Sequence, residues 1–233
     1  MNLNDAKILI TGGSLGLGKA AARLLTEKGA QVGITGRDPE RIKQAANEIG
    51  AFPITADVSK PEDVDRTYDE FLGKFGGLDC LINNAGIGIF KPIDRTSWQD
   101  FEQVFSVNVF GAALMAARAA RMFRKQNHGN IINIGSTAAE KGFEKGSIYA
   151  ASKFALRGMT QCWQAELRKY NVRVILVDPS EVATAFAHPD RVEREAAPNK
   201  LSSQEIAHAI AAVLEMDDRG MIPELSVWAT NPW

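Results

Sequence analysis

The sequence predicts an α/β protein built on a doubly wound parallel sheet of about seven strands, with helices on both faces. Three observations carry that expectation. Short apolar runs alternate with longer amphipathic ones from residue 7 to residue 228. Helix-length segments separate the strands, which implies right-handed crossovers and a sheet covered on both sides. No linker, internal repeat or low-complexity tract divides the 233 residues, so residues 1–233 are read as one domain.

The elements follow in order. Residues 7–11 (Lys-Ile-Leu-Ile-Thr) read as a buried strand, and 16–28 as a helix ended by Gly29. Residues 31–35 form a second strand. Residues 38–49 form a helix with Asp38 as N-cap and Pro39 in the first position. A weak third strand spans 51–55. The helix at 61–75, introduced by Ser59, is closed by Gly76 and Gly77, and strand four runs over 78–83. One long helix is expected from about Ser97 to Gln126, broken by Asn127, His128 and Gly129. Strand five spans 130–134, another long helix 147–170, strand six 172–177, a further helix 203–216, and strand seven 221–228.

Composition narrows the function classes. Twenty-seven basic and 28 acidic residues leave a formal charge of −1, which gives no electrostatic reason to expect nucleic acid or an anionic membrane as a partner. Cys80 and Cys162 form no C-x-x-C pair and read as small reduced hydrophobes rather than zinc ligands. The first residues lack a basic and apolar leader pattern. The most apolar helical stretch, 109–120, is short for a bilayer and carries Arg118. A cytoplasmic protein is the expectation. The alternating charges of residues 190–195 read as a solvated segment.

Four glycines crowd the turn Thr11-Gly12-Gly13-Ser14-Leu15-Gly16-Leu17-Gly18, between the first strand and the first helix. Glycines there allow a tight turn and let backbone N–H groups approach a pyrophosphate at the helix N-terminus. The run from Gly13 to Lys19 also fits the start of a triphosphate loop, but that chemistry needs Ser or Thr next, to hold magnesium, and position 20 is Ala20. A dinucleotide is therefore favoured. At the end of the second strand stand Gly36 and Arg37, where an acid would accept from the adenosine ribose of NAD. A guanidinium in its place suits a 2′-phosphate, so NADP(H) is favoured over NAD(H).

Tyr149 and Lys153 lie four residues apart on one helix face, where a lysine cation would favour the phenolate. By itself the pair is common on helices. Its neighbours are Ser136 at the end of strand five, 13 residues earlier, the run Asn83-Asn84-Ala85-Gly86 ending strand four, and Asn108 inside the long helix. With Asp57-Val58 and Pro179-x-x-x-x-Thr184, these motifs over about residues 5–185 resemble the single-domain, Rossmann-fold branch of the short-chain dehydrogenase/reductase family, among them 3-oxoacyl-carrier-protein reductases.

The resemblance implies hydride transfer between NADP(H) and a carbonyl or secondary alcohol. Tyr149 would exchange the proton, Lys153 would lower its pKa and hold the nicotinamide ribose, Ser136 would orient the carbonyl, and Asn108 would support a water chain. Gly12, Ser14, Gly16, Leu17 and Gly18 would cradle the diphosphate. Asp57 and Val58 would border the adenine, and Asn84, Ala85 and Gly86 the ribose. Pro179, Val182 and Thr184 would fix the carboxamide end. A catalytically silent NADP(H)-sensing regulator is the alternative; the complete Asn108, Ser136, Tyr149 and Lys153 set argues against it. An epimerase or dehydratase would ordinarily need a longer C-terminal region.

Several features depart from the family pattern or lie beyond it. Ser180 stands where Gly is usual, and Glu181 follows. The pair is either a harmless loop variant or, with Glu181 at the pocket rim, a bias against anionic substrates. Leu15 lacks the basic side chain common in NADP-dependent members. Phe186, His188 and the stretch to Lys200 would form a substrate lid over about 185–201. Ile87, Phe90, Thr137, Phe143 and Phe186 suggest an apolar pocket for a small-molecule substrate. His128, His188 and His208 are given no catalytic role. The aromatic C-terminus from Trp228 to Trp233 is a possible pocket cover or subunit contact. The two long helices resemble those through which the family forms homodimers and homotetramers.

Overall fold

The computed structural model describes residues 1–186, 192–193 and 197–231. Strands β1 (Lys7–Ile10), β2 (Gln31–Gly36), β3 (Phe52–Thr55), β4 (Cys80–Asn83), β5 (Gly129–Ile134), β6 (Val172–Pro179) and β7 (Glu224–Val227) form one parallel sheet. Their order is β3-β2-β1-β4-β5-β6-β7. The chain winds outward through β3, then returns to lay β4 beside β1. That reversal opens a crevice at the carboxyl ends of β1 and β4, where open α/β sheets bind ligands.

Side chains alternate between two cores. Ile8 and Ile10 of β1 pack with α1 (Gly16–Glu27), α2 (Pro39–Ile49) and α7 (Ser203–Glu215), while Leu9 faces the opposite way. The opposite core is closed by α3 (Pro61–Phe75), α5 (Ala112–Gln126) and the end of α6 (Ser147–Leu167). Cys80 and Ile82 of β4 divide from Leu81 in the same way. Both faces being buried explains why these strands read as continuous apolar runs.

The termini of the elements follow local chemistry. Asp38 accepts from the Arg41 N–H at 3.0 Å, and Gly50 ends α2 in the left-handed region at φ 74°. Ser97 and Asp100 form a capping box at α4 (Trp98–Phe105), as Ser202 and Glu205 do at α7. Ser59 does not cap α3. Lys60 holds that position, and the Ser59 hydroxyl donates to Asp57 Oδ1 at 2.7 Å.

The helix expected from Ser97 to Gln126 is α4 and α5 joined by a π turn, Ser106–Gly111. The backbone of Val58 presses on the turn at Gly111, where a Cβ would lie 2.8 Å from the Val58 carbonyl oxygen. The combined helix, Trp98–Gln126, has the length and composition to cross a bilayer, unlike the shorter stretch singled out from sequence. Its inner face, with Met115, Ala119 and Phe123, is instead part of the second core. Cys80 is buried as expected, whereas Cys162 is exposed on α6. His188 and Trp233 lie outside the described residues, as does much of the stretch read as a lid. Trp228 is exposed.

Candidate active site

The crevice is a cavity of about 950 Å³ along the carboxyl edge of the sheet. One wall is the glycine loop, contributing Gly12, Ser14, Gly16 and Leu17. Gly12 and Gly16 have φ of 68° and 55°, a region that side-chain-bearing residues rarely adopt. Gly18 does not line the cavity. It packs beneath the loop, where a Cβ would collide with the Gly12 carbonyl oxygen and Asn84 Nδ2. Asn84 is the clasp of this loop: its amide donates to the carbonyls of Thr11 and Gly12, both at 2.9 Å. Thr11 Oγ1 completes the joint by accepting from the N–H groups of Asn84 and Ala85 at 3.0 Å.

Beyond the loop the cavity reaches Arg37 and Arg41 at one end, and Asp57 and Val58 along its side. The Asp57 carboxylate is engaged by the Ser59 N–H and hydroxyl. Ala85, Gly86, Pro179, Val182 and Thr184 line the middle and far end, with Ser136, Tyr149 and Lys153. Lys19 turns away and pairs with Glu48 at 2.6 Å, which agrees with rejecting a triphosphate loop.

At the inner end, Tyr149 and Lys153 share one face of α6. Tyr149 lies between Phe90 and Phe186, with ring centroids 5.5 Å away on each side, and its phenol is close enough to Ser136 to feel it. The Ser136 hydroxyl oxygen also accepts from the Ala138 N–H at 3.1 Å, starting a short 3₁₀ turn, Thr137–Ala139. Lys153 is buried, donates to the Ile134 carbonyl at 2.8 Å, and lies 5.7 Å from the Tyr149 ring centroid. Burial pushes the phenol up to about 12, against Ser136, which favours the phenolate, while the Asp178 charge adds to the rise. Burial likewise brings the Lys153 ammonium down to about 8, opposed by Asp178. In the free protein burial is the largest influence on both groups, raising the phenol and lowering the ammonium.

Asn108 is buried in the π turn, and its side chain is fully committed. Its Oδ1 accepts from Ile87 N–H at 2.9 Å, while Nδ2 donates to the Ile87 carbonyl at 2.9 Å and to Ser152 Oγ at 3.0 Å. It thus ties the segment after β4 to α6, the helix of Tyr149 and Lys153.

The family model for short chain dehydrogenase matches residues 6–195. The chain belongs to this family. A carbonyl reductase family member 4 from Xenopus tropicalis is 38% identical over 176 residues, 75% of each chain. Among solved structures, a 3-ketoacyl-(acyl-carrier-protein) reductase from Brucella melitensis complexed with NADH has a TM-score of 0.89 at 27% identity, covering 99% of this chain and 100% of that one. An alcohol dehydrogenase from Thermococcus sibiricus complexed with 5-hydroxy-NADP has a TM-score of 0.88 at 26% identity, covering 97% of each.

As a short-chain dehydrogenase the chain is an oxidoreductase of the Rossmann fold, and most residues singled out from its sequence converge on one cavity. Gly18 and Asn108 stand behind the walls and brace them. Ser180 lines the cavity, but Glu181 does not: its carboxylate lies against Lys200 at 3.0 Å and is largely exposed. That placement favours the harmless loop variant over a bias against anionic substrates. Of the apolar residues expected in the pocket, Ile87 and Phe186 line the cavity, and Phe90 and Phe143 stack 6.0 Å apart beside it. Two residues escaped the sequence reading. Arg41, one helical turn past Arg37, was hidden in an ordinary charged helix. Asp178 was visible only as an acid ending the apolar run of β6.

Proposed function

We propose that this oxidoreductase transfers hydride between NADP(H) and a carbonyl or secondary alcohol, with Tyr149 as the general acid/base. The observation that carries it is that Tyr149, Ser136 and Lys153 line the same cavity as the glycine loop. The residues fit a dinucleotide. The cradle has no side chains at Gly12 and Gly16, and the Gly16 N–H already holds an anion, the Glu193 carboxylate at 2.5 Å. Gly12, Ser14, Gly16 and Leu17 would hold the diphosphate, Asp57 and Val58 the adenine side, Ala85 and Gly86 the ribose side, and Pro179, Val182 and Thr184 the far end. A bound nicotinamide supplies or takes up the hydride.

The protein's own part is proton handling and orientation. Ser136 donates to the substrate oxygen and holds it beside the phenol. Tyr149 gives its proton to that oxygen as it becomes an alkoxide, a stronger base than a phenolate, so a phenol kept protonated by burial suits reduction. Lys153, brought down to about 8, can return the proton. Asn108 holds the frame on which this depends. Phe90 and Phe186 exclude water and favour an apolar substituent on the carbonyl carbon. The relatives' names, carbonyl reductase and alcohol dehydrogenase, support both directions of the same reaction. Turnover of NADPH across a diverse carbonyl panel tests the reading; binding without turnover would favour the sensor.

NADP(H) is favoured because Arg37 and Arg41 stand together at the outer end of the cavity. Two acids lie between them in sequence: Asp38 caps α2 and pairs with Arg41 at 3.6 Å, so its charge is partly met, and Glu40 also lines the cavity. Arg37→Ala is expected to weaken NADPH by about tenfold, or ~1.4 kcal/mol, while leaving NADH nearly unchanged, as read by fluorescence titration. Equal loss for both cofactors would remove the 2′-phosphate assignment.

A homodimer or homotetramer is proposed on the exposed Phe110, Leu114 and Phe154, an apolar patch on the π turn, α5 and α6. Light scattering at micromolar concentration should give a multiple of 25.4 kDa. A monomer would refute it.

A further inference from the structure

Asp178 stands directly behind this site and has no part in the reaction just described. It lies near the end of β6, is fully buried, and its Oδ1 accepts from the Ser136 N–H at 2.7 Å. That oxygen fills the space above Gly135, where any Cβ would collide with it. The other oxygen, Oδ2, is buried without a hydrogen-bond partner among the described residues. An orphaned carboxylate oxygen is costly to hide unless a proton or cation meets it.

Two further carboxylates face it. Oxygens of Glu140, Asp178 and Glu224 all lie within 4.8 Å of one another. Glu140 follows the 3₁₀ turn and accepts from Ser226 Oγ at 2.9 Å; Glu224, on β7, pairs with Arg157 of α6 at 2.6 Å. The remaining charged or titratable neighbours on α6 are Tyr149 and Lys153, on both of which the Asp178 charge acts.

Resting on the carbonyl-reduction reading, we propose that Asp178 is a positioning residue for that site. Through the Ser136 amide it holds the turn that aims the Ser136 hydroxyl at Tyr149, and it does so in two protonation states. In acid Oδ2 carries a proton; above that range Asp178 is a buried anion behind the phenol. The acceptor to Ser136 survives in both states, because Oδ1 accepts whether or not Oδ2 carries a proton. Burial raises Asp178 to about 6, the Ser136 N–H opposes the rise, and Glu224 and Glu140 add to it against Arg157. The anion in turn favours a protonated Tyr149 and a charged Lys153.

The test compares wild type with Asp178→Asn, Asp178→Ala and Tyr149→Phe in one NADPH-oxidation assay. Asparagine keeps an acceptor for Ser136 and adds a donor toward Glu140 and Glu224. It should retain turnover within a few-fold, with the alkaline limb of the reduction rate moved to lower pH because Tyr149 has lost a neighbouring anion. Alanine strands the Ser136 N–H and should lower kcat by about tenfold or more with KM little changed.

Thermal unfolding without substrate gives a second readout. A carboxyl raised in the folded state burdens the fold only while ionised. The Tm advantage of Asp178→Asn over wild type should therefore be largest above about pH 6 and shrink as the pH falls toward 4. A pH-independent gap together with an unmoved alkaline limb overturns the proposal. So does a Tm gain from added Mg²⁺ seen in wild type and absent in Asp178→Asn, since the cluster would then be a cation site. If Asp178→Ala fails to fold, Asp178→Asn decides. Turnover surviving in Tyr149→Phe would sink the underlying reading alone, because the unfolding result does not depend on it.

Discussion

Tyr149→Phe is expected to lower carbonyl turnover by about 10²–10⁴-fold, the usual contribution of a positioned general acid, while NADPH binding stays near wild type. The variant removes one oxygen and keeps the ring, so the stacking on Phe90 and Phe186 at 5.5 Å survives and the walls keep their shape. Rate and binding should therefore separate cleanly. The pH dependence has a definite sign. Reduction needs the protonated phenol, which burial holds up to about 12 in the free protein. Its rate should stay level through neutral pH and fall only on the alkaline side, where the phenol is lost. Alcohol oxidation needs the phenolate and should rise with pH over the same range. Loss of NADPH binding along with turnover would mean that Tyr149 holds the cavity together rather than moving a proton.

Gly18→Ala should be the most damaging small substitution at the cofactor end, although Gly18 touches no part of the cavity. A methyl there meets the Gly12 carbonyl oxygen and the Asn84 amide, and the first of these is backbone. Relief requires the loop to lift or Asn84 to release its two bonds of 2.9 Å to Thr11 and Gly12. Overpacking of this kind costs about 1–3 kcal/mol, to be divided between the stability of the fold and the affinity for NADPH. Placed wholly in binding, that is roughly 5- to 150-fold in Kd. Gly73→Ala is the matched control: nothing lies within 4 Å of its Cβ position in α3, so the variant should gain about 0.5–1 kcal/mol. Thermal unfolding and NADPH titration of both proteins would check the pair. A Gly18 variant with wild-type affinity would show that the clasp does not shape the cradle.

The sequence by itself determined the winding of the sheet and the place of the crevice. Both faces of β1 and β4 are buried, so Ile8–Ile10 and Cys80–Ile82 read as unbroken apolar runs, and helix-length connections favour parallel pairing. Most elements were legible within a few residues, because caps such as Asp38 and Ser97 act on their own neighbours in the chain. The glycine loop, Ser136, Tyr149 and Lys153 were legible for a related reason: each sits at a strand end or on one helix face, where spacing predicts direction.

What the sequence withheld depended on contacts between distant segments. The π turn that interrupts the long helix is braced by Val58 against Gly111, roughly fifty residues along the chain. Asn84 lines the cavity, but its amide is also spent on tying the glycine loop, and Asn108, expected to support a water chain, ties the segment after β4 to α6. The ionisation of Tyr149 and Lys153 depends on more than their spacing, because burial raises the phenol and lowers the ammonium. Glu181 turned outward to Lys200, and Asp178 turned inward beneath Ser136. Local periodicity sets where a side chain starts, but desolvation and hydrogen-bond partners belong to the folded neighbourhood, and only the tertiary structure supplies that.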